Sequence, residues 1–256
     1  MAKTAIHPSA IIGKKAQLGE GNEIGPGSII EDGASLGSHN KLWMNVYVGP
    51  GTTIGHRNTI REYVTIHRGT KEGTATVLGD DNFLMANAHL GHNCQVGHKT
   101  TLVNLATLAG YCAVEDGAVL SGMVVVHQFV RIGRLAMISG LSAVNKDVPP
   151  YLLCGGRPAV IQGLNAVGMR RAGIAPAVRE EIKRAYKLLY REGLNVPHAI
   201  EAIARECASP ETKLMVEFVK QAKRGISAGL GEETETVGPR KVTGAREAIR
   251  RTAEER

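Results

Sequence analysis

Nine histidines occur in the 256 residues, and four of them sit mid-chain in polar surroundings. His67 lies in Thr65-Ile66-His67-Arg68-Gly69-Thr70. His89 and His92 share Asn87-Ala88-His89-Leu90-Gly91-His92-Asn93-Cys94. His127 lies in Val126-His127-Gln128-Phe129. Imidazole titrates near neutral pH, so such residues can do chemistry. One chemistry is general base catalysis, in which the ring takes the proton from a hydroxyl that attacks a thioester. Another is zinc binding by three rings. Spacing alone leaves both open. His7, His39, His56, His98 and His198 read as solvated surface residues. The cysteines at 94, 112, 154 and 207 form no C-x-x-C pair, which argues against a zinc ribbon or a thioredoxin-like motif. They are also too few for a disulfide framework in a chain this long.

The element that must carry these histidines is a six-residue repeat. Stepping by six from Ile6 to Val144 visits 24 positions, and 23 of them are Ile, Leu or Val. Only Glu72 breaks the series, and the phase continues beyond it. The next residue is often glycine, as at Gly13, Gly19, Gly25, Gly91 and Gly97, where a backbone turn is expected. Two residues before the aliphatic there is often a small or β-branched residue, such as Ala10, Ala88, Cys94 or Cys112. This is the pattern of a left-handed parallel β-helix, with three hexapeptides to a coil and about eight coils. Cys94 and Cys112, one coil apart, then stack as core filler. The four mid-chain histidines avoid the inward positions, so their rings belong on the outside or at corners. The polar segment Lys71–Thr76 loses its aliphatic and is expected to loop outward.

Composition agrees. With 43% apolar residues the chain can bury a core, while 31 glycines and only 10 Phe, Tyr and Trp argue against a core of large rings. The first residues carry no apolar run, and the stretch around 118–130 is interrupted by His127 and Gln128. No signal peptide or membrane span is therefore expected, and a cytoplasmic setting follows. The repeat stops at Val148-Pro149-Pro150-Tyr151. Gly155-Gly156-Arg157-Pro158 reads as a linker. Helical periodicity follows over 163–171, 176–191, 196–208 and 210–224, with Pro176, Pro197 and Pro210 in first turns. The organisation expected is a β-helix over 1–154, a helical domain over 155–224 and a disordered tail over 225–256. Residues 155–224 hold 13 basic and 7 acidic residues, almost the whole net charge of +7. No nucleic-acid-binding motif or aromatic interleaving accompanies that charge, so an acidic protein or a diphosphate is the better partner.

Several stretches resemble the acyl-[acyl-carrier-protein]–UDP-N-acetylglucosamine O-acyltransferases, which open lipid A biosynthesis. They are Ile60–Thr70, the NAHLGHNC run at 87–94, ATLAG at 106–110, VHQF at 126–129, DVPPY at 147–151 and AYKLLYREG at 185–193. The resemblance covers about residues 1–224. It implies a homotrimer with sites between neighbouring prisms, no cofactor and no metal, an acyl carrier protein as donor, and UDP-N-acetylglucosamine or a related UDP-amino sugar as acceptor. His92 falls on the family's general base and the amide of Gly110 on its oxyanion donor. His67, His89, His127 and Gln128 fall on substrate-contacting positions. Asn165 and Arg171 fall on nucleotide- or phosphate-contacting positions, and Gly140 on the position that limits acyl-chain length. The basic helices would receive the carrier protein, and no contact with nucleic acid or insertion into a membrane is implied.

The sequence departs from the family pattern in four places. Where relatives carry a loop with an aspartate and a lysine that hold the sugar, it runs straight through Val48-Gly49-Pro50-Gly51-Thr52-Thr53. Asn93 replaces the aspartate that follows the base. Tyr111 replaces a histidine, and Val167 a glutamate. A same-fold acyltransferase with another nucleotide sugar or an acyl-CoA donor therefore stands as one alternative. A zinc site of the carbonic-anhydrase kind, or a trimeric scaffold without catalysis, is the alternative of another class.

Overall fold

In the computed structural model, which describes residues 3–231, the hexapeptides become 23 two-residue strands from Ala5–Ile6 to Ala143–Val144. They lie on three faces, taken in turn by successive strands. The first face begins with Ala5–Ile6, the second with Ile11–Ile12 and the third with Gln17–Leu18. Each strand pairs in parallel with the strand one coil later, in register, as Ala5 does with Glu23 and Ile11 with Ile29. Parallel register repeats every side chain in a column along the axis. The second residue of each strand is the aliphatic of the repeat, and from Ile24 onward these form one buried core. Cys94 and Cys112 are buried beside it.

Glycine after the aliphatic has a different reason from the one expected. The left-handed backbone angle of most corners comes two residues later, at Gly21, Gly27 and Gly33 but also at Asn45, Tyr63, Asn93, Tyr111 and Phe129. What limits Gly25 is the next coil, because a Cβ there would lie 2.6 Å from the Trp43 carbonyl oxygen. Before the first-face strands, asparagines form a buried ladder. Asn22 Oδ1 accepts from the N–H of Asn40, Asn40 from Asn58, Asn58 from Asn82 and Asn82 from Thr100, at 2.8–2.9 Å. Each side chain thus satisfies a corner amide of the following coil.

The coil holding Glu72 is 24 residues long instead of 18, as the pairs Thr59 with Phe83 and Thr65 with His89 demonstrate. The strand series skips the Glu72 hexapeptide. Residues 67–76 bridge the corner between Thr65–Ile66 and Val77–Leu78, and Lys71–Thr74 fold into an exposed turn in which Thr74 Oγ1 donates to Lys71 O at 2.7 Å. The expected outward loop is therefore present.

The end of the solenoid differs from the boundary expected at 154/155. Leu152–Gly156 continues the first face by pairing in parallel with Met137–Ile138, then turns through Arg157-Pro158 and pairs antiparallel with Ala159–Leu164. The glycine-rich stretch read as a linker is a hairpin turn. The helices follow: α1 (Ala166–Arg171), α2 (Pro176–Tyr190), α3 (Val196–Glu206) and α4 (Pro210–Lys220). Helix α1 starts three residues later than the periodicity suggests, because 159–164 is strand. Asn165, Asn195 and Ser209 cap α1, α3 and α4 through their side-chain oxygens. Residues 225–231, assigned to the tail from sequence, return to the solenoid: Ile226 bridges Asp147 and Gly229 bridges Ile161. The rest of the expected tail, 232–256, lies outside the described residues. Arg131 ties α4 to the third face, with its guanidinium 4.0 Å over the Phe218 ring and Nη1 donating to Phe218 O.

Candidate active site

Parallel register decides what stands next to what at the edge between the second and third faces. Ile66, Leu90, Leu108 and Val126 stack inside. The residues after them therefore stack at the corner as His67, Gly91, Ala109 and His127. The next column is Arg68, His92, Gly110 and Gln128, and the one beyond contains Asn93, Tyr111 and Phe129. Four sequence-predicted histidines thus fall on or beside one edge. His89 stands on the second face next to Thr65, whose hydroxyl is 2.8 Å from its Nδ1. The His67 ring meets it edge-on, with centroids 4.8 Å apart. Burial, and then the nearby His67, push the His89 pKa down, so its ring favours the neutral form.

His92 is half-buried and lies across Gly110. A Cβ on Gly110 would have His92 ring atoms as its three nearest neighbours, with Nδ1 at 2.8 Å and Cε1 and Nε2 closer still. Glycine is what lets the imidazole sit there. Nδ1 of His92 is 3.2 Å from Asn93 Oδ1. That oxygen also accepts the Thr70 N–H at 3.0 Å and the Thr70 hydroxyl at 2.9 Å. The Tyr111 ring meets His92 edge-on at 5.2 Å and stacks on Phe129 at 5.1 Å. The Gly110 N–H donates to no protein acceptor among the described residues, whereas Ala109 N–H donates to Val126 O and Tyr111 N–H to His92 O. A basic nitrogen beside an unused backbone donor is an arrangement suited to hydroxyl deprotonation with stabilisation of an oxyanion.

The family described as Udp N-acetylglucosamine O-acyltransferase, Domain 2, matches residues 147–227, and the bacterial transferase hexapeptide family matches 33–68. The Synechocystis acyl-[acyl-carrier-protein]–UDP-N-acetylglucosamine O-acyltransferase is 37% identical over 66% of this chain, and the match spans 63% of that relative's own length. A solved Francisella novicida UDP-N-acetylglucosamine acyltransferase is 32% identical, with 90% of this chain and 94% of that one covered at a TM-score of 0.75. The chain belongs to the UDP-N-acetylglucosamine O-acyltransferase family. The corresponding acyltransferase structure from Moraxella catarrhalis is 31% identical, with a TM-score of 0.77 over 87% of this chain and 99% of that one.

Within this acyltransferase-family chain, not every predicted site residue meets His92. Gly140 follows the first-face strand Met137–Ile138 and lies at the edge between the first and second faces, where a Cβ would lie 3.3 Å from Gly122 O. The exposed apolar side chains Tyr63, Leu105, Met123 and Leu141 occupy that same edge. Asn165 lies by the third edge, where Nδ2 donates to Leu135 O at 2.8 Å and Oδ1 accepts the Gly168 N–H at 2.9 Å. Its side chain anchors α1 to the solenoid. Arg171 is exposed in the last turn of α1. His127 is exposed, and its Nδ1 lies 3.0 Å from the Gln128 carbonyl. Among the described residues, no three His, Cys, Asp or Glu side chains gather as metal ligands would. None of the described helices is long and apolar enough to cross a membrane.

The residues missed from sequence are Thr70, Phe129 and a basic wall. Tyr111, Phe129, Arg131, Asp147, Lys223 and Arg224 line a cavity of about 690 Å³ beside His92's edge. The segment after α4 brings Lys223 and Arg224 there, and Arg224 Nε donates to Asn145 O at 3.3 Å. Asp147 accepts the Arg131 N–H at 2.9 Å, and burial pushes its carboxyl up. Tyr111 and Phe129 share the left-handed backbone angle of the other corners, φ 59° and 68°, so the angle marks a corner and not a site.

Proposed function

We propose that the protein moves a fatty acyl chain, a 3-hydroxyacyl chain for preference, from acyl carrier protein to the 3-hydroxyl of UDP-N-acetylglucosamine. This is the first step of lipid A biosynthesis, and the enzyme works in the cytoplasm as a homotrimer. The observation that carries the reading is the His92 ring lying over Gly110 with its Nδ1 turned to a carbonyl oxygen, which leaves Nε2 as the basic atom. Nε2 takes the proton of the sugar hydroxyl as that oxygen bonds to the thioester carbon. Negative charge moves to the carbonyl oxygen, which the Gly110 N–H stabilises. The C–S bond then breaks, and the imidazolium returns its proton to the departing sulfur. His67, His89, His127 and Gln128 line the approach along the same edge, and Asn165 and Arg171 serve the nucleotide end. The separation of Gly140 from His92 supports the trimer. One prism carries them on different edges, and a neighbouring copy can lay its Gly140 edge, with its apolar ladder, against His92. The acyl chain then follows that ladder, with Gly140 setting its length. The basic helices receive the acidic carrier protein.

A related UDP-amino sugar as acceptor has one observation in its favour. The corner at Gly49–Thr52 is tight, with Thr52 N–H donating to Gly49 O, and the enlarged corner of the chain is at 67–76. The grip expected from an aspartate and a lysine near residue 50 must come from elsewhere, and Arg68 and Lys71 of the enlarged corner are the basic candidates for it. The test offers acyl carrier protein thioesters of several lengths, and the matching coenzyme A thioesters, with a panel of UDP-sugars. Acyl transfer to UDP-N-acetylglucosamine that His92→Ala abolishes, without a change in oligomeric state, is the expected result. A tenth or more of the turnover surviving in that variant would remove His92 from the role. A zinc ion per site, with activity lost to a chelator, would favour the carbonic-anhydrase reading.

A further inference from the structure

We propose that Thr70 and Tyr111 are positioning residues, a hydroxyl relay that fixes the Asn93 amide and through it keeps the His92 proton on Nδ1. Donors and acceptors around the Asn93 amide fix where each hydrogen lies. The Thr70 N–H, 3.0 Å from the Asn93 side chain, has only a proton to offer, so the atom facing it is the amide oxygen. That same oxygen is 3.2 Å from His92 Nδ1. An acceptor pairs only with a donor, so Nδ1 carries the hydrogen and Nε2 the lone pair. The Thr70 hydroxyl has one proton and gives it to Asn93 Oδ1 at 2.9 Å. The contact of 2.9 Å between that hydroxyl and the Tyr111 phenol is therefore a donation by Tyr111. The chain runs from Tyr111 O–H to Thr70 O–H to the Asn93 carbonyl, which receives His92 N–H from the other side. Successive hydrogen bonds of this kind polarise one another.

Thr70 can reach Asn93 because it belongs to the enlarged corner. The far end of that corner holds the same residue, since the Asn93 N–H donates to Thr76 Oγ1 at 2.9 Å. Asn93 is thus gripped at its side chain and its backbone by two threonines of one loop. A carboxylate would hold a histidine tautomer by charge. Here three donors on a neutral oxygen do it by geometry, in the chain whose base is followed by asparagine.

The relay rests on the reading of His92 as the base only for its kinetic consequence, and the tautomer can be observed without any substrate. The experiment is nitrogen NMR on the ¹⁵N-histidine-labelled full chain, at a pH where His92 is neutral. The expected result is a protonated-type shift for Nδ1 and an unprotonated-type shift for Nε2. Thr70→Val should move both toward the averaged values of exchanging tautomers. Tyr111→Phe, which keeps the stack on Phe129, should move them part of the way, and Thr70→Ser should restore them. In the acyl-transfer assay, Thr70→Val should lower kcat about tenfold and Tyr111→Phe about threefold, at unchanged KM, as loss of a hydrogen bond implies. The double variant should be no slower than Thr70→Val alone, because Tyr111 acts only through Thr70. A wild-type proton on Nε2, shifts indifferent to Thr70→Val, or independent effects in the double variant would overturn the proposal. Shifts that respond as expected in a protein with no acyl transfer would sustain the relay and overturn the function reading instead.

Discussion

Replacing Gly110 with alanine adds one carbon where the imidazole of His92 lies. The three nearest atoms to that carbon are all in the His92 ring, with Nδ1 at 2.8 Å and two others nearer. Ordinary contact between carbon and a ring atom needs about 3.5 Å, so the ring must retreat by roughly 1 Å or more. The backbone at Gly110 does not resist the change, since its φ lies outside the left-handed range that favours glycine. The ring can swing outward from a half-buried edge, so the core is not asked to move. The retreat breaks the 3.2 Å approach to Asn93 and the edge contact with Tyr111. A displacement of this size in a reacting group costs on the order of a hundredfold in rate. The expected result for Gly110→Ala is therefore kcat/KM lowered about a hundredfold in a steady-state acyl-transfer assay, with Tm changed by no more than about 3 °C in a calorimetric scan. A variant that kept a third of its activity would show that the ring position does not govern the reaction. A variant that melted far below wild type would show that the glycine serves the solenoid and not the base.

Three further outcomes follow from the geometry. Burial and His67 hold the His89 pKa below its ordinary value, so the folded state favours the neutral ring, and the stability this supplies is complete above about pH 6.5 and lost as pH falls below it. Tm measured across that range should fall less steeply in His89→Gln. Asn58→Ala removes one rung of the asparagine ladder and leaves the Asn82 N–H without its acceptor, which should lower unfolding free energy by about 1–3 kcal/mol in urea titration; a change under a few tenths would mean that the ladder is decorative. Apparent affinity for the acyl carrier protein substrate should weaken with salt, because surface charges are screened beyond about 8 Å at 0.15 M, and should weaken again when Arg170, Lys183 and Lys187 are changed to Glu. Indifference to both would point to a coenzyme A or other small thioester donor.

Much of this molecule can be read before any coordinate is known, for a reason specific to solenoids. A period of six with three strands per coil converts sequence distance directly into spatial neighbourhood, so the aliphatic series from Ile6 to Val144 defines the strands, the core and the stacking of Cys94 on Cys112. The same arithmetic brings His92 and His127 to one edge and leaves Gly140 on another, but His67 joins them only because the enlarged corner takes a hexapeptide out of the count. It fails where the chain leaves the lattice. Thr70 meets Asn93 and Tyr111, 23 and 41 positions away, only because the enlarged corner folds back, and no periodicity describes that path. It fails again at the hairpin of Leu152–Gly156 and Ala159–Leu164, where glycine and proline announce a turn without saying whether the chain continues or reverses. Asn165 carries a third lesson: its cap and its bond to Leu135 depend on how α1 docks, which lies beyond a one-dimensional pattern.

The enlarged corner has an evolutionary meaning. Its surplus of six residues stands outside the prism, so Ile66 and Leu78 both remain inward and every coil above keeps its phase. Kept within the prism, the same six residues would have moved every later column by one face and parted His67 from His92 and His127. A prism of this kind accepts new material most cheaply as an outward loop at a corner. The mouth of the site can then be redrawn by lengthening or shortening that loop, while the interior inherits nothing of the change.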